Sequence, residues 1–176
     1  GEVSLQGAIT AMAQNFVGSN NINLLMPNGQ FGTRLQGGKD SASERYIFTQ
    51  LNKITRSIFP SSDDNILTHL NDDGLIVEPI YYAPIIPMIL VNGSKGIGTG
   101  FSTDIMCYNP LEIIEYLKNK LLFIEDIVEF IPYYEGFKGE ISKLDDSKFL
   151  IKGLYEKIAD DKIRVTELPI GNWVPT

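Results

Sequence analysis

The sequence predicts an α+β protein, because segments with helical periodicity fill its first part and short alternating strands fill its last part. Apolar residues recur at helical spacing in residues 4–16, 43–59 and 109–123. From about residue 132, apolar and polar residues alternate in the stretches GEISKL, KFLIKGLY and KIRVTELP, which turn signals separate. Helices that are segregated from antiparallel strands are typical of the α+β class.

The first two predicted helices each have one apolar face. The apolar positions of the first are Leu5, Ile9, Met12 and Phe16, with Ser4 as a candidate N-cap. Those of the second are Ile47, Leu51, Ile54 and Ile58, with Ser43 as a candidate N-cap and Pro60 after its end. Tyr46 would then lie in the first turn of the second helix. Unpaired amide groups and the positive end of the helix dipole favour an anion there.

The segment after the second helix predicts a hairpin or wing. NDDG, residues 71–74, is a strong turn signal between two apolar stretches. Pro79, Pro84 and Pro87 exclude a central strand in the stretch that contains them. Two helices followed by such a wing are typical of a winged-helix variant of the helix-turn-helix motif.

The remaining elements complete two predicted domains. SKGIGTGFST, residues 94–103, is expected to be a glycine-rich loop, and the helix over 109–123 has Pro110 at its first position. We therefore expect a winged-helix domain over residues 1–131 and an antiparallel β subdomain over residues 132–176.

Composition excludes several functional classes. No apolar run approaches the roughly 18 residues that a membrane span needs, so no membrane partner is expected. The single cysteine, Cys107, cannot form an internal disulfide, and with His69 as the only histidine the chain lacks the ligands of a typical zinc site. We expect no metal site within this chain. Because it begins at Gly1 without an initiator methionine, we expect it to be part of a longer protein.

The net charge of −7 hides a local basic patch. Residues 29–56 hold five Lys or Arg and two Asp or Glu, a net charge of +3, whereas residues 101–176 hold nine against fourteen, a net charge of −5. Salt screens charges beyond about 8–10 Å, so a local patch still attracts phosphate on an acidic chain. This patch surrounds Tyr46.

The adjacent Arg45 and Tyr46 could support phosphoryl chemistry. A tyrosine hydroxyl, with an ordinary pKa near ~10, is a weak nucleophile at neutral pH. A neighbouring cation favours the phenolate and stabilises charge that accumulates on a phosphoryl group. A guanidinium suits this role because it can hold two phosphate oxygens. The pair alone is a weak motif, and the plain alternative is that Tyr46 packs while Arg45 solvates a helix start.

The longer context is far more specific. QNFVGSNNINLLMPNGQFGTRLQGGKDSASERYIFTQL (residues 14–51) and VEPIYYAPIIPMILVNGSKGIGTGFST (residues 77–103) resemble the breakage-reunion core of type IIA DNA topoisomerases, in its eukaryotic form. FKGEI and ELPIGNW are similar more loosely. GIGTG, taken alone, lacks the remaining features of a nucleotide-binding loop.

The resemblance implies roles for six residues. Tyr46 would form a 5′-phosphotyrosyl link with DNA, and Arg45 would assist it at the scissile phosphate. The residues expected to bind DNA are Gln30, Arg34, Lys39 and Ile97. The first three belong to the loop that lies along the backbone, and Ile97 would wedge between base pairs and bend the duplex. The family usually has proline before the Arg-Tyr pair, where this chain has Glu44.

The resemblance also implies cofactors and partners. Double-stranded DNA would be the substrate of a homodimer that breaks both strands, passes a second duplex and religates. Mg²⁺ would be bound by a Toprim domain and ATP by an ATPase domain, both outside this chain, and the Toprim domain of the other subunit would complete the site in trans. The β subdomain over residues 132–176 would be the start of the family's tower domain, and the isolated chain would be inactive. A cellular enzyme would work in the nucleus, and one from a large DNA virus could work in host cytoplasm.

Two other hypotheses stay open from the residues. The chain could be a non-catalytic winged-helix DNA-binding module, or an interaction domain in which Tyr46 is a phosphorylation site. Loss of cleavage in Tyr46→Phe would argue against the first, and DNA binding at low salt would argue against the second.

Overall fold

The structure, a computed structural model, describes residues 1–125 and 128–174. Residues 126–127 and 175–176 belong to the two predicted domains but lie outside the described part. The helices are α1 (Glu2–Ala13), α2 (Thr55–Ile58), α3 (Met88–Val91) and α4 (Pro110–Leu121), with 3₁₀ turns at Glu44–Tyr46 and Ser61–Ile66. The strands are β1 (His69–Asp72), β2 (Leu75–Pro79), β3 (Ser94–Gly98), β4 (Phe101–Ile105), β5 (Glu140–Asp145), β6 (Lys148–Lys152), β7 (Leu154–Ala159) and β8 (Lys162–Glu167). Helices mainly precede the antiparallel strands, so the α+β prediction is confirmed.

Helix α1 is shifted from the predicted range of 4–16. It begins after Gly1, so Ser4 is inside the helix rather than its cap. The helix ends because the backbone becomes extended at Gln14, and the side chain of Asn20 donates to the carbonyls of Ala11 and Gln14 at 2.7 and 2.8 Å. These side-chain bonds satisfy orphan carbonyls at the helix end.

The second predicted helix, over residues 43–59, is wrong. Only a single 3₁₀ turn at Glu44–Tyr46 and the four-residue helix α2 are helical. Between them the chain is extended and pairs with residues 24–30 through the bridges Leu25 to Leu51 and Asn28 to Phe48. These long-range backbone bonds replace the local ones of a helix. Tyr46 therefore lies on a short turn and not in the first turn of a long helix.

The predicted wing is confirmed as the antiparallel hairpin of β1 and β2. Asp73 and Gly74, between the strands, both have positive φ angles of 47° and 91°. Two such residues form the tight turn whose twist matches a two-residue hairpin. Pro79 ends β2, and no strand follows until Ser94.

Residues 94–103 form a hairpin and not the predicted glycine-rich loop. Strands β3 and β4 pair in register from Ser94 with Ile105 to Gly98 with Phe101. Gly100 in the turn has a φ of +78°, a conformation that glycine adopts without strain. The strand pattern was hidden in the sequence because two of the five residues of β3, Gly96 and Gly98, are glycines.

Helix α4 begins as its sequence predicts and ends at Leu121, two residues before the predicted end at residue 123. Pro110 occupies the first position, and the side chain of Asn109 accepts a hydrogen bond from the amide of Leu111 at 2.9 Å. Lys118 and Lys120 lie in the last turn, where cations favour the helix dipole.

The three predicted strand stretches are observed as four strands, because KFLIKGLY is divided at Gly153 between β6 and β7, and the strands do not form one meander. They pair as two separate hairpins, β5 with β6 and β7 with β8. One residue, Gly153, separates β6 from β7, which is too short for the two-residue turn of a tight hairpin. A Cβ on Gly153 would also lie 3.0 Å from the carbonyl carbon of Glu167, so the backbones meet closely here.

The main core lies between α3 and α4. Ile86, Val91 and Ile113 are buried in it. The partly buried residues packed against them are Ile22, Met88, Leu90, Tyr108, Ile114, Leu117 and Phe130. In the described part of the chain, no helix is long and apolar enough to cross a bilayer.

A polar contact ties this core to the start of the predicted β subdomain. The side-chain amide of Asn21 lies 3.0, 3.2 and 2.9 Å from the carbonyl oxygens of Val91, Tyr108 and Tyr133. Its oxygen accepts from the amide of Glu135 at 2.9 Å. The boundary at residues 131 and 132 stays a prediction, and hydrogen bonds cross it.

Candidate functional site

Tyr46 and Arg45 form an exposed pair on the 3₁₀ turn. The amide of Tyr46 donates to the carbonyl of Ser43 at 2.9 Å, and the amide of Ile47 donates to that of Glu44 at 3.3 Å. The guanidinium carbon of Arg45 lies over the Tyr46 ring, 5.0 Å from its centroid. Tyr46 is 68% exposed. An exposed phenol beside a cation can reach an external phosphate, and a packing role for Tyr46 does not fit this exposure.

The chain on both sides of this turn is held by one neighbouring segment. Before the turn, the amide of Ala42 donates to the carbonyl of Gln30 at 2.9 Å. After it, Phe48 and Asn28 exchange backbone bonds of 3.0 and 3.1 Å. A Cβ on Gly29 would lie 2.9 Å from Ile47, so a side chain there would push this segment away. Such backbone bonds fix where Tyr46 is presented without burying it.

Residues 29–40, which precede the turn and which we call the glycine-rich loop from here on, are closed by a local polar contact. The backbone amide of Thr33 donates to Asp40 at 2.8 Å, and the hydroxyl of Thr33 donates to the same carboxylate. These two bonds hold the pKa of Asp40 below its usual range. Gly32 and Gly38 meet inside the loop, where a Cβ on Gly32 would lie 2.5 Å from the Cα of Gly38.

The structure places the predicted DNA-binding residues of this loop in different environments. Gln30 and Lys39 have exposed side chains. Arg34 is partly buried: Nη2 forms an ion pair with Glu167 and donates to the carbonyl of Leu168 at 2.9 Å. Arg34 is thus already bonded within the protein.

Burial and hydrogen bonding act in opposite directions on Glu167. Burial alone would raise the pKa of its carboxyl. Hydrogen bonds from Arg34 and from the amide of Lys138, together with the charge of Arg34, outweigh burial and hold the pKa below its usual range. Glu167 is therefore ionised at neutral pH and neutralises Arg34.

Ion pairing within the protein reduces the number of unpaired cations in the basic patch of residues 29–56. Arg56 is also paired, with Asp64 at 2.6 Å. Within residues 1–125 and 128–174, Lys39, Arg45 and Lys53 make no ion pair. These three cations are exposed and are the cations of the patch that form no ion pair within the described residues.

Ile97 lies apart on the hairpin of β3 and β4. Its side chain is 91% exposed, and that of Phe101 on the partner strand is 83% exposed. Ile97 pairs with Ser102 and Phe101 with Gly98, so the two apolar side chains point to opposite faces of the hairpin. A protruding, exposed isoleucine has the shape of a wedge, but it also leaves apolar area to be covered.

Glu167 and Trp173 are the residues of this region that sequence reasoning missed. Trp173 packs its ring edge-on to Phe16, with centroids 5.9 Å apart, and lies against Gly18 and Gly37. The only signal was the loosely matching stretch ELPIGNW, which contains both residues. No periodicity connects it to the loop that it contacts.

The described residues contain no group of three or more His, Cys, Asp or Glu side chains that could hold a metal ion. The acidic pair Asp72 and Asp73 lies at the end and in the turn of the wing, as expected for a turn signal. Asp63 and Asp64 lie instead in a 3₁₀ turn. His69 is on β1, where Nδ1 is 2.7 Å from the carbonyl oxygen of Val77.

Comparison with known proteins identifies the family. A family model for the A-type subunit of DNA gyrase/topoisomerase IV matches residues 1–176. The chain belongs to this family. DNA topoisomerase 2 of Arabidopsis thaliana is 56% identical over 177 residues, which is 98% of this chain and 12% of that protein. DNA topoisomerase 2 of Acanthamoeba polyphaga mimivirus is 51% identical over 173 residues, which is 98% of this chain and 14% of that protein.

A solved structure supports the same fold for this gyrase and topoisomerase family member. The DNA-binding, cleavage and re-ligation domain of Plasmodium falciparum topoisomerase II superposes with a TM-score of 0.94 at 50% identity. The match covers 99% of this chain and 24% of that one. The predicted resemblance to type IIA topoisomerases is thus confirmed, and the chain spans a small part of the length of its relatives.

Proposed function

We propose that this chain carries the DNA-cleaving tyrosine of an ATP-dependent type II DNA topoisomerase. The observation that carries the proposal is the exposed Tyr46, with the guanidinium of Arg45 over its ring, on a turn held by backbone bonds. The family and the named relatives support it.

In the proposed reaction, the hydroxyl oxygen of Tyr46 attacks a DNA phosphorus and gives up its proton. The P–O3′ bond breaks, a 5′-phosphotyrosyl ester forms, and the leaving 3′ oxygen takes a proton to become a hydroxyl. One phosphodiester replaces another, so the reverse attack by the 3′ hydroxyl religates the strand without an external energy source. Arg45 stabilises the charge on the phosphate oxygens. Lys39, Gln30 and Ile97 contribute DNA contacts around this centre.

The proposal assigns the cofactors to other parts of the polypeptide. Mg²⁺ would stabilise charge on the phosphate and the leaving oxygen. By the family resemblance, a Toprim domain of the second subunit in a homodimer would hold it. ATP would bind a separate ATPase domain. We propose a nuclear location if the enzyme is cellular. Because one relative is viral, host cytoplasm is the alternative location.

The test uses the full-length enzyme with Mg²⁺ and supercoiled plasmid. The reaction is stopped with detergent, the DNA is digested with nuclease, and any nucleotide-modified peptide is mapped by mass spectrometry. We expect an adduct on Tyr46 that is absent from Tyr46→Phe. Arg45→Lys keeps the charge but loses the planar fork, so we expect a reduced adduct yield.

Two outcomes would overturn the proposal. DNA binding without any adduct on Tyr46 would identify a non-catalytic winged-helix module. Absence of DNA binding even at low salt would favour an interaction domain with a modifiable tyrosine. Tyr46→Phe is the matched control, because it removes only the nucleophilic oxygen.

A further inference from the structure

The segment at residues 167–174 holds the glycine-rich loop that leads to Tyr46. Arg34 is bonded to Glu167 and to the carbonyl of Leu168, and the amide of Val174 donates to the carbonyl of Leu35 at 3.1 Å. Two consecutive loop residues are therefore fixed by the far end of the chain. We call residues 167–174 together with Arg34 the clamp.

Trp173 is the apolar part of the clamp. A Cβ on Gly37 would lie 2.5 Å from Cε2 of Trp173, and one on Gly18 would lie 3.2 Å from its Cη2. Gly37 has a φ of +61° and Gly18 one of +91°. The indole thus lies directly on the backbone of the loop, in contact that only glycine permits. Because no side chain separates the Trp173 ring from the loop backbone, a displacement of the ring would displace the loop.

Glu167 connects the clamp to the β subdomain. It is the last residue of β8, and its side chain is 4% exposed. Besides Arg34, its carboxylate accepts a hydrogen bond from the amide of Lys138 at 3.1 Å. The same carboxylate therefore contacts the glycine-rich loop and the start of the predicted β subdomain.

A short covalent and hydrogen-bonded path continues to the site. The amide of Gly38 donates to the carbonyl of Thr33 at 2.9 Å, and Thr33 is bonded to Asp40. Two residues later, Ala42 is fixed to Gln30. A shift of the clamp would therefore move the turn that presents Tyr46.

We propose that Arg34 is a positioning residue and not a phosphate ligand, and that the clamp links the orientation of the β subdomain to the placement of Tyr46. The inference rests on the proposed function in one respect, that Tyr46 is the nucleophile. The bonding of Arg34 within the protein does not depend on it. Glu167 and Trp173 have the same positioning role.

The test separates phosphate contact from positioning by the salt dependence of DNA binding. Because DNA binding weakens as salt rises, the slope of log K against log salt is negative. Each lost phosphate contact makes this slope less negative by about 1. With the full-length enzyme and a linear duplex, we expect Lys39→Gln to make the slope less negative by about 1 and Arg34→Gln to leave it unchanged. Lys39 is the matched control because it lies in the same loop and is exposed.

The second readout is the yield of the Tyr46 adduct at saturating DNA. We expect Arg34→Gln and Glu167→Gln to reduce it about 10- to 100-fold, the effect of a small misplacement of a reacting group. Combining Arg34→Glu with Glu167→Arg should recover part of the yield that either reversal loses alone. Glu167→Gln is decisive at saturating DNA, because a positioning role predicts a lower adduct yield, whereas freeing Arg34 as a phosphate ligand would not lower it.

The proposal is overturned if Arg34→Gln makes the slope of log K against log salt less negative by about 1. It is also overturned if Glu167→Gln leaves the adduct yield unchanged. If the wild-type enzyme forms no adduct on Tyr46, the proposed function fails, and the salt slope still decides whether Arg34 contacts phosphate. Trp173 is the single tryptophan of these 176 residues. In a full-length enzyme whose tryptophans outside this chain are replaced, its fluorescence emission shows whether each variant keeps the clamp folded.

Discussion

Replacing Gly37 by alanine tests whether Trp173 lies directly on the loop backbone. Two costs follow from the structure. The φ of +61° is left-handed, which costs a non-glycine residue about 1–2 kcal/mol. The new Cβ would lie 2.5 Å from the indole of Trp173, so ring or loop must move, and overpacking of this kind typically costs about 1–3 kcal/mol. We expect Gly37→Ala to lower the free energy of unfolding by about 2–5 kcal/mol.

Gly74→Ala is the matched control. Gly74 also has a positive φ, +91°, but a Cβ there would meet nothing within 4 Å. It should therefore carry the backbone cost without the packing cost. Urea unfolding of the 176-residue chain can be followed by Trp173 fluorescence, since it is the only tryptophan. Equal losses of stability in the two variants would refute the close contact between Trp173 and Gly37.

Three further predictions concern other parts of the chain. Asn109→Ala should lower the free energy of unfolding by about 1 kcal/mol in urea titrations, because the first turn of α4 loses its side-chain cap. Burial raises the pKa of the Cys107 thiol to about 11, so at pH 8 iodoacetamide should alkylate it much more slowly in the folded chain than in urea. The pKa of Glu167 is lowered from 4.5, so its stabilising effect is complete above about pH 4.5 and is lost as the pH falls through the folded pKa. Glu167→Gln should therefore flatten the loss of stability between neutral and acid pH, measured as the urea midpoint at each pH.

The elements that sequence reasoning predicted well are those whose signals are local. Asn109 and Pro110 mark the start of α4 by themselves, and the NDDG turn fixes the wing. The second helix was wrong because Ile47 and Leu51 satisfy helical spacing and also lie four residues apart on one face of a strand. The partner segment at residues 24–30, whose bridges decide between the two conformations, has no periodic signal.

The site shows the same division between local and distant contacts. The adjacency of Arg45 and Tyr46 is visible in the sequence, and the structure places the guanidinium over the ring. The partner of Arg34 is not visible, because its hydrogen bond to Leu168 spans 134 residues. A local charge count therefore overstated the number of unpaired cations in the patch, since it could not include an acid from the other end of the chain.

The residue before the Arg-Tyr pair can be tested from the geometry of the turn. Glu44 is the first residue of the 3₁₀ turn, a position that favours proline because its amide has no partner within the turn. The preceding Ser43 has φ −58° and ψ 137°, which is the extended conformation that proline requires before it. Both features are compatible with proline at this position, although the residue here is glutamate.

We expect Glu44→Pro to be more stable than Glu44→Ala by about 0.4–1 kcal/mol, because proline removes conformational freedom from the unfolded chain without strain in the folded one. Both variants lose the same carboxylate, so their difference measured by urea unfolding isolates the backbone effect. A Glu44→Pro chain that is less stable than Glu44→Ala would mean that this turn differs from the one proline favours.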